Sequence, residues 1–554
     1  MNLKFTPIII LFFFIVSFQT KAQNDHKYLF LLKDKNNNGF DISKPEQFLS
    51  QRAIERRKKQ KIAITPQDLP VTKAYTEAIK SQGAKIWYTS KWINGVVAQC
   101  DSLTMQKIKK LAFVKGIEGD KFLESPYDSC RFYPEIPDTD EISDYQIIRN
   151  GNAINYGDSK NQLEMLGIDQ LHKQGFRGEG MMIGVLDDGF RNAQKVPYLK
   201  TVFDEKRIVS TFNFTRNQKG VYNDGGHGTN VLSIIAADLE GELYGGAYKS
   251  SYVLMVTEDE HQEALLEEAN MLIALEYADS TGVDVLNASL GYVDFDDETV
   301  YSYEQRDGNT TLAARAADWA AAKGMVFVVS AGNSGSGDHI STPADADSVL
   351  TVGSVMSNRE YHEMTSIGPR TDGVIKPDVM AKGSSTTIGY TNGEVGNGNG
   401  TSFAAPLVTS FVATFWQANP EKTAFEIIQS IRKSGNYSTS PSPLMGFGIP
   451  NLAIAKKYLL NPEDFMVTGT ESKPLKFEIS PNPFTNKSLP KITLKEKNNL
   501  FSAWVLDLQG KVVWQAINLK SSEILPLEHL KIGEYILKIA NGKATATHKL
   551  VKAD

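Results

Sequence analysis

Between residues 155 and 460 the sequence repeats one pattern: a short apolar run that ends near Asp, Asn or Gly, then a longer stretch of helical period. MMIGVLD, DVLNASLGY, MVFVVSAGN and VLTVGSV are nearly continuous in apolar residues, as strands are when both of their faces are buried. QEALLEEANMLIALEYADS and TLAARAADWAAAK carry the helical period between them. The alternation predicts a parallel sheet with helices on both faces, an α/β domain near the upper size for one core.

The chain has 554 residues, so this domain leaves room for others. Hydrophobic residues at 41% and charged residues at 22% are ordinary globular values, and a net charge of −6 provides no global positive field for nucleic acid. Two cysteines, Cys100 and Cys130, can form at most one bridge, and no pair of histidines has the HExxH spacing of a helical zinc site.

Residues 1–22 read as a signal peptide: Lys4, an apolar run from Ile8 to Phe18, then Thr20-Lys21-Ala22. Residues 24–125 predict a small α+β domain in the order strand, two helices, two strands, helix, strand, with Ser43 and Glu46 as a capping box and Gly83 closing the second helix. Its basic run (Arg52, Arg56, Arg57, Lys58, Lys59, Lys61) is read as a solvated helix face. Residues 126–154 read as an exposed, cleavable connector, 461–474 as a linker, and 475–554 as a separate all-β sandwich domain with turns at Asp507–Gly510 and Asn541–Gly542.

Four motifs fall where open α/β sheets gather their sites. Asp187 ends the run MIGVLDDG, with Asp188 expected to point away into solvent. His227 lies in GGHGTNVLSIIAA at the start of a helix, whose dipole disfavours imidazolium. The pattern therefore predicts a base that titrates near the free imidazole value, about pH 6 to 7. Asn333 closes VFVVSAGNSG, and Ser402 sits at a helix start in GNGTSFAAPLVTSFVATFW, with Pro406 tolerated in the first turn.

Together and in this order, the motifs resemble the subtilisin-like serine proteases, the subtilase family, over roughly 155–458, including the stretch TSIGPRTDGVIKPDVMAKG. The resemblance implies the subtilisin-like sheet and a serine endopeptidase acting on protein or peptide substrates. Asp187 would then be the orienting acid, His227 the base, Ser402 the nucleophile and Asn333 the oxyanion donor. Ser289, Leu290 and Gly291 resemble the family's substrate-binding strand, with Ala331 and Gly332 as the opposite wall of the first specificity pocket. Two departures are HGTN, where the family commonly has a second His, and DDG, where Ser or Thr commonly follows the acid.

Residues 28–120 are similar to subtilase propeptides, ferredoxin-like domains that assist folding and block the cleft. The tail, with PNPF, VLDLQGKVV and LKIGEYILKI, looks like the sorting domains of the type IX secretion system, implying outer-membrane secretion machinery as a partner and a secreted or cell-surface product. No cofactor or metal enters the implied chemistry. Asp294, Asp296, Asp297 and Glu298 read as a solvated loop, with structural calcium as the alternative. The Asn-x-Ser/Thr patterns at Asn287 and Asn399 read as coincidence. A catalytically silent surface-binding scaffold of the same fold is the rival reading.

Overall fold

The computed structural model describes residues 25–124, 154–461, 477–494, 501–506, 512–528, 530–541 and 544–553. The signal peptide, connector and linker readings lie outside the described residues, apart from single residues at their ends, as do Cys130 and the turn residues 507–510 and Gly542. Two compact units, Met1–Leu460 and Asn461–Asp554, divide the chain.

The first unit begins with an antiparallel sheet of four strands, β1 (His26–Leu32), β2 (Lys85–Ser90), β3 (Gly95–Cys100) and β4 (Val114–Ile117), in the order β2-β3-β1-β4. Helices α1 (Gln51–Lys59), α2 (Lys73–Ser81) and α3 (Ser102–Lys109) complete it. The cap of α1 is Ser50, whose hydroxyl accepts from Ala53 N–H at 3.2 Å; the Ser43/Glu46 box is displaced because Pro45–Gln47 forms only a short 3-10 turn. Gly83 follows α2 with φ +102°, a left-handed position that favours glycine. Cys100 is buried and free.

The basic run is not a solvated face. Lys58 and Lys59 are exposed, but Arg56 and Arg57 are buried, at 6% and 1% exposure. Both guanidiniums reach the buried Asp279 carboxylate, at 2.5 and 2.6 Å, and Arg57 also meets Asp68 at 2.9 Å. A charge this deep persists because each partner neutralises it.

The rest of the unit runs α4 (Lys160–Leu166), α5 (Ile168–Lys173), β5 (Met182–Asp187), α6 (Lys200–Asp204), β6 (Ile208–Asn213), α7 (His227–Ala236), β7 (Asp238–Leu239), β8 (Leu243–Tyr244), β9 (Ser251–Val256), α8 (Leu265–Thr281) and β10 (Val285–Ala288). It continues with α9 (Leu312–Ala322), β11 (Val326–Ser330), β12 (Leu350–Val355), β13 (Val379–Lys382), β14 (Thr386–Gly389), β15 (Val395–Gly398), α10 (Thr401–Gln417), α11 (Ala424–Lys433) and α12 (Leu452–Leu460). Seven strands form one sheet in the order β13-β12-β11-β10-β5-β9-β6, every pair parallel.

Successive strand residues feed two cores. Val326 and Val328 of β11 join α7, α10 and α11 on one face, while Phe327 and Val329 join α8 and α9 on the other. The period of two is preserved, but both phases are apolar, so the sequence reads as a solid run. Leu29 of β1, Val97 of β3 and Trp92 of the turn between β2 and β3 extend the second core and seat the N-terminal sheet on α8.

In the second unit β16 (Phe477–Ser480) pairs with β17 (Lys491–Leu494). Strands β18 (Phe501–Leu506), β19 (Val512–Leu519), β20 (Gly533–Asn541) and β21 (Ala544–Lys552) form an antiparallel sheet, β19-β18-β20-β21. Phe484, Ile492, Val505, Leu537 and Leu550 belong to its own apolar core. No helix among the described residues is long and apolar enough to cross a membrane.

Candidate active site

The three central strands β5, β10 and β11 lie side by side and parallel, so their carboxyl ends deliver Asp187, Ser289–Gly291 and Asn333 in a row. Two helix starts close on that row: α7, which packs on β5 and begins at His227, and α10, which packs on β10 and β11 and begins at Thr401. Close packing of α7 on the strand requires Gly228, because a Cβ there would lie 2.3 Å from the Gly189 carbonyl oxygen and 2.8 Å from Asp187 Cβ.

Asp187 is buried, and its Oδ1 lies 2.7 Å from His227 Nδ1. That contact places the Nδ1 proton on the acid side and leaves Nε2 as the free nitrogen. The His227 side chain is 35% exposed, and its ring lies 5.6 Å, centroid to centroid, from the ring of Phe403, the residue after Ser402. Ser402 Oγ donates to the Ser289 carbonyl at 3.3 Å rather than to the imidazole. His227 and Ser402 line two neighbouring cavities that share Ser289, Leu290 and Gly291.

Ser402 is fixed by a missing donor. Pro406 lies in the second turn of α10, not the first, and has no N–H for the carbonyl of Ser402 four residues earlier. Ser289 Oγ fills the gap, donating to that carbonyl at 2.8 Å. The same hydroxyl accepts from the fully buried Asn287 Nδ2 at 3.1 Å, and Asn287 Oδ1 accepts from Thr409 of α10 at 2.8 Å. Asn287 and Ser289 thereby tie the end of β10 to the helix of Ser402.

Asn333 lies three residues beyond β11. Its Oδ1 accepts from Thr401 N–H at 2.9 Å and from Thr401 Oγ–H at 3.0 Å, which leaves the Nδ2 amide as the donor at the cavity that Ser402 also lines. Gly400, with φ +143°, makes the turn that brings Thr401 to it. Gly332 and Ser330 line that cavity with Asn333, whereas the Ala331 methyl is fully buried in the core. Ala331 continues the Phe327–Val329 phase of β11 into the second core, and Gly332, at φ +105°, turns the chain after it.

Electrostatics differ from the sequence expectation at two positions. Asp188 does not point into solvent: its Oδ1 accepts from Gly228 N–H at 3.2 Å, at the exposed donors of the α7 start. Burial, then the Asp187 charge, push its carboxyl up to about 7. Burial alone would lower His227, but the Asp187 charge and hydrogen bond, with Asp188 behind them, raise it to about 9. A carboxylate in direct contact outweighs a dipole at the helix start.

Asp294, Asp296 and Glu298 are exposed, and Asp297 meets Lys121 at 3.4 Å. Sequence reasoning passed over Ser341, a buried serine among the residues that line the Ser402 cavity. Its loop position carries no periodic signal.

Residues 178–449 match the family model described as "Subtilase family". The chain carries a subtilase domain. Residues 27–129 match "Peptidase S8 propeptide domain, Bacteroidota", and residues 478–553 match "Secretion system C-terminal sorting domain". The subtilase region is 28% identical to Subtilisin DY of Bacillus licheniformis over 270 residues, 48% of this chain and 87% of that protein. The Minor extracellular protease Epr of Bacillus subtilis (strain 168) is 22% identical over 363 residues, 65% of this chain and 49% of that protein. MycP1 from Mycobacterium smegmatis, a solved structure, is 21% identical with a TM-score of 0.44, covering 56% of this chain and 86% of that one. The homologues of this subtilase domain are subtilisin-like serine proteases.

Proposed function

We propose that the protein is a secreted serine endopeptidase that hydrolyses peptide bonds through Asp187, His227 and Ser402. The observation that carries the reading is the short Asp187–His227 contact beside a cleft whose other members are the Ser402 hydroxyl and the outward Asn333 amide. A scissile peptide would lie along Ser289–Gly291 by main-chain pairing. A χ1 turn takes Ser402 Oγ from the Ser289 carbonyl toward His227 Nε2, which accepts its proton as Oγ bonds to the scissile carbonyl carbon. The carbonyl oxygen becomes an oxyanion held by Asn333 Nδ2 and the Ser402 N–H, unpaired at the second helix position. His227 returns the proton to the leaving amine. Water then attacks the acyl ester by the same route and frees Ser402. Asp187 holds the imidazole tautomer throughout, and every proton moves between side chains and substrate, so the reaction is proposed to need no cofactor.

The propeptide domain is proposed to inhibit the mature enzyme in trans after the connector is cut, and the C-terminal domain to serve type IX export of a chain that enters the periplasm by its signal peptide. The seating of the N-terminal sheet on α8 supports the first role. The reading is tested by treating the mature protein with a fluorophosphonate and sequencing the modified peptide. Stoichiometric labelling of Ser402 with loss of peptide hydrolysis is expected. Hydrolysis that survives with Ser402 unmodified would overturn it.

A further inference from the structure

We propose that Phe403 is a positioning residue of the peptidase: its ring, seated on the bare Cα of Gly398, holds the His227 imidazole in the orientation from which Nε2 reaches Ser402. The inference rests on the peptidase reading above and adds a residue to those that serve it. The hydrogen bond from Nδ1 to Asp187 fixes one edge of the imidazole, while 35% of the side chain is exposed. A ring held at one edge and open to water turns out of line whenever that bond breaks. The Phe403 ring lies 5.6 Å away, centroid to centroid, with the two planes 35° apart, which is the spacing of an aromatic pair.

The ring is itself held. Phe403 follows Ser402 in the first turn of α10, so the ring that borders the base and the hydroxyl that the base must deprotonate share one piece of backbone. It is buried in the apolar core that α7 and α10 share. A Cβ on Gly398, at the end of β15, would lie 2.4 Å from Phe403 Cε2 and 2.9 Å from its Cδ2. The backbone of Gly398 is not in the left-handed region, so it is room for this ring that requires a glycine there. The hairpin that carries the seat is fastened in turn to the helix of His227: Ser233 Oγ of α7 accepts from Gly389 N–H of β14 at 2.8 Å, and a Cβ on Gly226 would lie 3.0 Å from Thr391 Cγ2. Seat, ring and base are fixed relative to one another.

A side chain that only filled the core would need volume and not a plane. Leucine supplies apolar volume without the plane, so Phe403→Leu separates the two roles. A reacting group displaced by about 1 Å costs up to about a hundredfold in rate, and with Asp187 still in place a loosened imidazole is expected to lose about tenfold.

The test compares the mature enzyme with Phe403→Leu and Gly398→Ala by steady-state peptide hydrolysis, thermal unfolding and NMR of protein carrying 15N-histidine. Phe403→Leu is expected to lower kcat about tenfold with KM within about twofold, and to speed exchange with water of the Nδ1 proton shared with Asp187. Gly398→Ala keeps the phenyl ring but forces it off its seat; it should lower kcat and speed the same exchange, which gives a second reading if Phe403→Leu folds poorly. Added to Phe403→Leu it should cost much less than it does alone, because the ring through which it acts is gone. An unchanged kcat in both variants, a loss confined to KM or to the unfolding midpoint, or a fall in kcat with the Nδ1 exchange unmoved would overturn the positioning role while leaving the peptidase reading intact. An unaltered enzyme that neither hydrolyses peptides nor takes up fluorophosphonate would overturn the peptidase reading and this role with it.

Discussion

The Asn333 carboxamide can face either way, and Thr401 chooses: its N–H must meet an acceptor, so Oδ1 turns inward and Nδ2 is left to donate at the cavity. An amide held by the helix that carries Ser402 needs no reorganisation as charge develops on the substrate. Asn333→Ala is therefore expected to cost roughly a hundredfold or more in kcat with KM little changed, read from steady-state kinetics. His227 sets the pH profile. With its folded value raised to about 9, the imidazole is protonated and unable to take the Ser402 proton below that pH, so the acid limb of kcat/KM should lie above the ordinary value of about 6.5. Asp188→Asn removes one of the two carboxylates that raise it, and should move the limb to lower pH. A limb at 6 to 7, unmoved by that substitution, would contradict this account. The sign for stability is the opposite: the His227–Asp187 pair contributes fully below the unfolded imidazole value and is lost as pH rises through about 9, where the base becomes active. Asp187, His227, Asn333 and Ser402 stand out in the sequence because each lies at or within three residues of the end or start of an element with a strong apolar pattern. The inward turn of Asp188 does not, since it depends on the start of α7 arriving some forty residues later, at Gly228.

At the scale of elements, α8 and α1 show what a sequence hides. The long apolar character of α8 announces a buried helix, yet Glu276 and Asp279 are buried within it. Their partners come from the propeptide domain: Glu276 accepts from Lys91 and Trp92 N–H, each at 2.9 Å, and from Ser90 Oγ at 2.5 Å, while Asp279 binds Arg56 and Arg57. Nothing local to Arg56 reveals a carboxylate more than two hundred residues away, so helical spacing alone suggested a solvated face. Orphaning a buried charge costs about 3 to 5 kcal/mol, but Asp279 keeps Arg57 and Lys91 when Arg56 is removed, so the loss is a fraction of that. Arg56→Ala in isolated propeptide should therefore weaken its inhibition of the mature enzyme by on the order of tenfold, measured as Ki in trans. An unchanged Ki would mean that this contact does not hold the domain on α8. The parallel sheet was readable because apolar residues fill both phases of each strand, whereas the α1 cap was missed because Pro45 diverts the Ser43 segment into a 3-10 turn.

At the scale of the whole molecule, each of the two units has its own apolar core, and the four proposed catalytic groups all lie in the first. A chain ending at Asn461 should therefore still cleave peptides once purified, but should accumulate in the periplasm; its normal appearance in the medium would contradict the export role. The central claim is that a chain with this order of domains turns over peptide bonds through one serine. The most direct measurement is peptide hydrolysis by mature Ser402→Ala beside the unaltered enzyme, with thermal unfolding of both. The account predicts that the substitution removes turnover to within a residual set by binding and the oxyanion donors, with the unfolding midpoint little changed. Undiminished turnover in Ser402→Ala, or no turnover in the unaltered mature enzyme, would contradict it.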